Sequence, residues 1–416
     1  MKILVLGSGA REHAIINCLL RDSTAHEIVA APGNAGIAQV VETVAMDPTE
    51  GSVVAEYAVE QGFDLVVIGP EAPLVAGVAD VVRKAGIPVF GPDKAAAQLE
   101  GSKDFAKEIM EAAGVPTGRA RSASTMDEVD EALREFGAPY VVKADGLAAG
   151  KGVIVTVDRD AAREHAEYYI HQGSVLIEEF LEGQEVSLFV LSDGAAVVPL
   201  SPAQDYKRVF DGDEGPNTGG MGAYSPLPWL PEGFVDEVVE TVAQPTIREL
   251  ARRGTPFVGL LYCGLIVTTD GIRVIEFNAR FGDPETQVVL ERLDSSLANL
   301  LLATAEGRLA TVPEPQFSSD VAVTVVLASE GYPESPETGR PIYGLDEALA
   351  EPGVSIAHAA TAVSEGGFVS TGGRVLSVIA SGPTFADARE RVYAGLEHVR
   401  LDGAHFRSDI AERVAR

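Results

Sequence analysis

Val274-Ile-Glu-Phe-Asn-Ala-Arg-Phe-Gly-Asp-Pro-Glu285 decides how the rest of the 416-residue chain is read. A strand pattern runs straight into a turn while carrying Glu276, Asn278 and Arg280. Strand side chains alternate, so these three polar groups are expected on one face. A carboxylate beside an amide oxygen offers hard oxygen ligands of the kind Mg²⁺ takes while it also holds nucleotide phosphates. Arg280 is suited to grip a carboxylate or a phosphate. An edge strand with a polar face and a surface turn would carry the same residues, so the flanking segments must decide.

Those segments supply the other parts of a nucleotide site. Lys103 starts a helix pattern in Gly101-Ser-Lys-Asp-Phe-Ala-Lys107, and Lys143 lies in the strand Tyr140 to Ala144. The glycine-rich Asp145-Gly-Leu-Ala-Ala-Gly-Lys-Gly152 follows, then a strand from Val153 to Val157, which together describe a flexible hairpin flap. It is not a Walker A loop, because Lys151-Gly152 lacks the following Ser or Thr and leads into a strand. Downstream, the strand Val175 to Glu178 ends in acids, and Glu185 opens the next strand. Such an interstrand linker can present backbone groups to an adenine edge while a carboxylate takes ribose hydroxyls. Acids at strand ends are also commonly just solvated.

Composition bounds the function classes. At 46% hydrophobic residues the chain can bury a large core, and its length suggests about two to four domains. A formal charge of −30, from 32 basic and 62 acidic residues, argues against a nucleic-acid or anionic-membrane surface. Any anion must then sit in a locally arranged pocket. The acidity fits either salt adaptation or plain solubility. Cys18 and Cys263 form neither a disulfide framework nor a metal spacing and are expected buried. No membrane span or signal peptide is read, so the cytoplasm is the expected compartment.

The first hundred residues alternate strands (Ile3 to Leu6, Ile28 to Ala31, Leu65 to Ile68, Val89 and Phe90) with helices (Arg11 to Arg21, around Val53 to Gln61, Leu74 to Lys84). Alternation of this kind implies a parallel, Rossmann-like sheet with helices on its faces. Ligands bind such sheets beyond the carboxyl ends of the strands, here Gly7 to Arg11, Gly33 to Gly36 and Gly69 to Glu71. Amides opening the helix after Gly9 suit a phosphate. The Gly7-Ser-Gly9 turn also begins a dinucleotide fingerprint, but Glu12 stands at its third glycine and Glu42 comes late for the ribose-binding acid. A dehydrogenase would moreover leave Lys103, Lys143 and Glu276 unexplained.

From Gly101 the pattern becomes α+β. A helix from Lys103 to Ala113 stops at Gly114 and Pro116, and a flap subdomain covers about residues 119–185. Strands Ser187 to Ser192 and Ala196 to Leu200 form a hairpin around Asp193-Gly194. A long loop, Ser201 to Pro228, carries Asp205-Tyr-Lys-Arg208 and Gly219-Gly-Met-Gly222, and a loop of this length inside a compact domain is functional or disordered. A helix from Glu232 to Arg253, strands Val258 to Thr268 and Ile272 to Asn278, and helices over Thr286 to Gly307 complete this half. Beyond a linker at Thr311 to Gln316, strands Val321 to Ala328 and Val375 to Ala380 and a helix from Phe385 to Val399 form a small α+β domain. Domains are therefore expected at 1–100, 101–312 and 313–416.

The segment order resembles the ATP-grasp ligases, and more closely the phosphoribosylamine–glycine ligase (glycinamide ribonucleotide synthetase) family. The matching stretches are Gly7-Ser-Gly-Ala-Arg-Glu-His13, Pro32-Gly-Asn-Ala-Gly36, Gly69-Pro-Glu-Ala-Pro-Leu74, Asn217-Thr-Gly-Gly-Met-Gly-Ala-Tyr-Ser-Pro226 and Glu276 to Glu285. The resemblance implies a two-step reaction: glycine carboxylate attacks the γ-phosphate of ATP, then the amine of 5-phosphoribosylamine attacks the glycyl phosphate. The protein's task is chiefly positioning and charge neutralisation. On this resemblance Lys103 and Lys143 hold phosphates, Glu178 and the Leu181 backbone face adenine, and Glu185 faces ribose. Glu276 and Asn278 hold Mg²⁺, with Mn²⁺ as a substitute. Arg280 with Gly220 and Gly222 stabilises the carboxylate and acyl phosphate. Gly9, Arg11, Glu12, Asn34, Gly36, Pro70 and Glu71 form the substrate rim, with Asn217, Thr218, Gly219 and Asp283 facing them. For Arg374, lining the substrate cleft and being a strand-edge surface charge stand level.

One departure concerns the metal: many ATP-grasp enzymes carry a further acid about a dozen residues before Glu276, where this chain has Gly264. That leaves the number of metal ions open. A different ATP-grasp carboxylate–amine ligase or carboxylase would share the lysines and Glu276 but not the Gly7 to His13 and Asn217 to Pro226 stretches together. A silent nucleotide-binding module would have lost lysines or metal ligands. A monomer is expected.

Overall fold

In the computed structural model, residues 1–146 and 152–416 are described, so the centre of the glycine-rich flap hairpin lies outside the described residues. Residues 1–100 form the anticipated parallel sheet, in the spatial order Glu42–Thr43, Glu27–Pro32, Lys2–Gly7, Leu65–Ile68, Val89–Phe90. Ile3 to Leu6 are fully buried, as a central parallel strand covered on both faces requires. The helix expected from Leu74 to Lys84 is two helices, Glu71–Ala76 and Val78–Lys84. Gly77 between them takes φ 89°, a left-handed cap that ends the first helix.

The flap has a four-stranded antiparallel sheet ordered Ala120–Ala123, Val175–Glu178, Tyr140–Ala144, Val153–Thr156. Helices Met126–Phe136 and Arg159–Ile170 pack on it around a separate core that includes Val129, Leu133, Val142 and Ile177. A second antiparallel sheet runs Val197–Pro199, Gln184–Asp193, Val258–Thr268, Gly271–Asn278. Its last pair contains a bulge: Gly264 faces Glu276 and Leu265 faces Val274, so Ile275 is the extra residue. Ile272 and Val274 before the bulge and Phe277 and Ala279 after it are all in the core. Glu276 and Asn278 therefore share the other face, whereas Arg280 lies past the strand end.

The stretch read as a helix from Glu232 to Arg253 contains Phe234–Val238, a widened π-helical turn Val239–Ala243, and Gln244–Arg252. Pro245, which has no backbone N–H to donate, accounts for the irregularity. The long loop Ser201 to Pro228 is not confined to the catalytic half. Its segments Gln204–Asp205 and Gly222–Ser225 join a five-stranded sheet with Val321–Ala328, Arg374–Gly382 and Val354–His358. Between them, Arg208–Phe210 pairs with Glu214–Asn217 as a hairpin. A small three-stranded sheet of Pro341–Ile342, Gly367–Ser370 and Thr361–Ser364 was not anticipated. Cys18 and Cys263 are free and buried, and no described helix is long and apolar enough to cross a membrane.

Gly222 shows how tightly the loop is sewn into this sheet, because a Cβ there would lie 2.7 Å from the Thr324 carbonyl oxygen and 2.8 Å from the Ile410 side chain. Gly222→Ala should destabilise the protein by about 1–3 kcal/mol, read as a lower urea midpoint; an unchanged midpoint would show that the strand has room to give.

Candidate active site

One cavity of about 490 Å³ is lined from every part of the chain. Arg11 and Glu71 come from the amino-terminal domain, Glu100, Lys103 and Lys107 from the helices after it, and Lys143 and Glu178 from the flap. The strand and turn give Glu276, Asn278, Arg280 and Asp283, the long loop gives Asp205, Lys207, Thr218 and Gly219, and the carboxy-terminal domain gives Tyr332 and Arg374.

On the flap side the cations are held ready. Ser102 caps the helix Lys103–Ala113 by accepting from Phe105 N. Lys103 Nζ donates to the Gly146 carbonyl at 3.1 Å and has no ion pair among the described residues. Burial lowers its pKa, and neighbouring Lys143 lowers it further. Lys143 and Lys107 both bind Glu178, at 2.7 and 3.0 Å. Against the penalty of its burial, the two ammoniums hold the Glu178 carboxyl below the usual range. Lys143 Nζ also donates to the Ile275 carbonyl at 3.2 Å, using the oxygen of the bulge residue. Leu181 and Glu185 do not line the cavity, and Glu185 is ion-paired with Lys207. Lys107 escaped the sequence reading although it follows Lys103 by one helical turn, the spacing that places two side chains on one face.

Glu276 and Asn278 line the cavity with no side-chain hydrogen bond or ion pair among the described residues. Against its burial, Lys207, Lys143, Lys103 and Arg280 lower the Glu276 pKa. Two free oxygen donors among cations fit a Mg²⁺ that takes its remaining ligands from phosphates and water. A Cβ at Gly264 would lie 3.1 Å from the Glu276 carbonyl and 3.2 Å from its Cγ, so an additional acid there would crowd the existing one. Among the described residues no group of three His, Cys, Asp or Glu is placed to hold a metal without such help.

The amino-terminal rim is built around a buried acid. Glu12 accepts from Gly9 N at 2.6 Å and from Arg11 Nε at 2.5 Å. A Cβ at Gly7 would fall 2.6 Å from its side chain, and one at Gly69 would clash with it outright. The glycines of two strand ends are thus explained by the carboxylate between them. The Gly9 amide, expected to serve a phosphate, is already taken. A dinucleotide fingerprint needs bare amides at this turn, and a carboxylate in their place removes the dehydrogenase alternative. Asn34 is also internally engaged: its Oδ1 accepts from Gly36 N and Ile37 N, both at 2.9 Å, and its Nδ2 donates to the Ser8 and His358 carbonyls at 2.8 and 2.7 Å. Gly36 lies against the His358 ring, and Pro70 caps the helix Glu71–Ala76. Of the rim residues, only Arg11 and Glu71 line the cavity.

The turn after Asn278 collects the remaining groups. Arg280 lies 3.1 Å from Glu100 and 3.5 Å from Glu71, and Glu100, which the sequence reading missed, also accepts from Ala279 N at 2.7 Å. Arg280 Nε is buried without a hydrogen-bond partner. Arg374 settles on the cleft: its Nη1 donates to the Gly219 carbonyl at 2.6 Å and the Asp283 carbonyl at 2.8 Å, beside the Asp283 carboxylate at 3.4 Å. Against its burial, Arg374 and Arg11 lower the Asp283 pKa. Thr218 Oγ1 donates to the Lys207 carbonyl at 2.9 Å. Asn217 pairs with Arg208 in the hairpin, Gly220 packs on Pro284, and neither these two nor Gly222 line the cavity.

Parallel amino-terminal sheet, antiparallel flap and a strand that ends in paired oxygen donors together make the ATP-grasp architecture. Family models match all three parts: phosphoribosylglycinamide synthetase N domain over residues 1–100, its ATP-grasp (A) domain over 101–286, and its C domain over 322–413. The chain belongs to the phosphoribosylglycinamide synthetase family. It is 68% identical to the phosphoribosylamine–glycine ligase of Leifsonia xyli subsp. xyli and 58% identical to that of Streptomyces coelicolor, each over 100% of both chains. The crystal structure of phosphoribosylamine–glycine ligase from Thermotoga maritima superposes with a TM-score of 0.86 at 34% identity, covering 98% of this chain and 100% of that one. The biotin carboxylase domain of Hydrogenobacter thermophilus 2-oxoglutarate carboxylase, at 19% identity and a TM-score of 0.74, shares the fold.

Glu100→Ala should leave Arg280 with Glu71 alone and the Ala279 amide unsatisfied, lowering stability by about 3 kcal/mol, as measured by urea unfolding. Glu100→Gln, which keeps an acceptor for Ala279 N, should lose clearly less; equal losses would mean that the Ala279 contact contributes nothing.

Proposed function

We propose that the chain ligates glycine to 5-phosphoribosylamine, driven by ATP and passing through glycyl phosphate, to give glycinamide ribonucleotide, ADP and phosphate, a step of purine biosynthesis. The observation that carries this reading is the single cavity into which lysines from helix and flap, the Glu276–Asn278 pair, the Arg280–Asp283 turn and the Arg11 rim all project. The family match and the relatives' names agree with it.

In this reading Lys103, Lys143 and Lys207 neutralise the triphosphate as the flap closes, which brings the γ-phosphate and the glycine carboxylate together. Glu276 and Asn278 would hold Mg²⁺, which would supply charge neutralisation to the phosphates. Arg280 faces the carboxylate and then the acyl phosphate, oriented by Glu100 and Glu71. Arg11 receives phosphoribosylamine at the rim. Arg374 closes the cleft by tying the loop at Gly219 to the turn at Asp283. Glu178 acts by aligning Lys107 and Lys143. Leu181 and Glu185 are kept for the adenine and ribose end, the latter through Lys207. A monomer working in the cytoplasm completes the reading.

Phosphate release should require ATP, glycine and freshly made phosphoribosylamine together, with one phosphate per glycinamide ribonucleotide. Glu276→Gln combined with Asn278→Ala should lower kcat more than about 100-fold with an unchanged melting temperature. Release that proceeds with bicarbonate in place of glycine would instead favour a carboxylase, and undiminished turnover of the double variant would remove the metal assignment.

A further inference from the structure

Six of the eight carboxylates that line or flank the cavity are already satisfied. Glu71 and Glu100 face Arg280, Glu178 faces two lysines, Asp283 faces Arg374, and Glu185 faces Lys207. Glu285 accepts from Tyr262 Oη at 2.7 Å and from Ser187 Oγ at 3.0 Å. The two that remain are Glu276, assigned above to the metal, and Asp205, whose carboxylate has no side-chain hydrogen bond or ion pair among the described residues although it faces the cavity. Lys207, two residues on, gives its ammonium to Glu185.

An unsatisfied acid in such a place is costly unless a cation arrives. Burial pushes the Asp205 carboxyl up to about 7; Lys207 opposes this, while Glu285 and Glu185 add to it. The second acid, Glu285, is fixed by Tyr262 and Ser187 and so acts as a stationary negative charge beside it. Gly282 packs directly on Glu285, since a Cβ there would lie 2.7 Å from Glu285 Oε2, and Gly282 and Gly219 both line the cavity. With Gly282 against Glu285 and Gly219 against the Arg374 guanidinium, the cavity wall beside these acids lacks side chains at two points, which suits a small ammonium better than a branched one. ATP brings no such cation, and the amine of phosphoribosylamine must be unprotonated to attack, whereas an amino acid binds with its ammonium charged.

We propose that Asp205 is a specificity-determining residue that binds the ammonium of the amino-acid substrate, with Glu285 as the fixed charge behind it, while the substrate carboxylate points to Arg280. This rests on the ligase reading above. Its consequence is that a ligand with the same carboxylate but no donor in place of the ammonium, such as acetate, gains nothing from Asp205.

The test is Asp205→Asn in the full-length enzyme, with ATP, phosphoribosylamine and varied glycine. The glycine KM should rise about 10- to 100-fold, the loss of a hydrogen bond between charged groups, while ATP affinity by calorimetry changes less than about threefold. Inhibition by acetate should be equal in wild type and variant. Asp205→Glu, which keeps the charge, should recover part of the glycine affinity and serves in its place if the Asn variant does not fold. A fall in kcat at unchanged glycine KM would overturn the anchor and point to a proton acceptor, and an equal loss of glycine and acetate binding would overturn it as well. If wild type itself released no phosphate in response to glycine, the ligase reading would fail instead.

Discussion

Everything in the site is fastened to one stretch of backbone, residues 275–284. At the bulge residue Ile275 and past the strand end at Asn278 its peptide groups have no ladder partners, and buried peptide groups must find partners elsewhere. Each of the chain's parts supplies one. The flap's Lys143 takes the Ile275 carbonyl, Glu100 takes the Ala279 amide, Arg11 of the amino-terminal domain takes the Phe281 carbonyl, and Arg374 of the carboxy-terminal domain takes the Asp283 carbonyl. Gly220 of the long loop rests on Pro284. Three domains are thereby set against one another by hydrogen bonds from charged side chains, which are about twice as strong as neutral ones and geometrically demanding.

The same constraint explains the charge distribution. A protein of net charge −30 gathers Lys103, Lys107, Lys143, Lys207, Arg11, Arg280 and Arg374 around one cavity. Most are paired with acids, which hold them in place. In the proposed reading, what is left unpaired is where substrates bind: Lys103 for an anion, Glu276 with Asn278 for a metal, and Asp205 for a small cation. Buried ion pairs are weak contributors to stability but good devices for fixing geometry. Here the geometry concerns a reaction whose barrier falls mainly through positioning and charge neutralisation.

Much of this was legible from sequence where the pattern was local. Leu65–Ile68, Lys103–Ala113, Tyr140–Ala144, Val258–Thr268 and Val321–Ala328 have the bounds their apolar runs and glycine stops indicate. Glu276 and Asn278 share a face as alternation requires, because the bulge falls one residue earlier. Arg280 reaches the cavity from the turn and not from the strand. Non-local roles were hidden. Glu12 and Asn34 read as rim residues facing substrate, and only the fold reveals that Gly7 and Gly69 close over the first and that four hydrogen bonds engage the second internally. Glu100 is meaningful only beside Arg280. That Gly222–Ser225 would pair with Val321–Ala328, about a hundred residues away, has no local signature.

The central claim is that residues 275–284 form a shared anchor held from outside by each domain. Amide hydrogen exchange, followed by mass spectrometry in wild type and in Arg374→Ala, tests it most directly. Removing one external bond should speed exchange across the whole 275–284 peptide and in the loop around Gly219, while the Val321–Ala328 strand keeps its protection. Exchange accelerated only near residue 374, with 275–284 as protected as before, would contradict it.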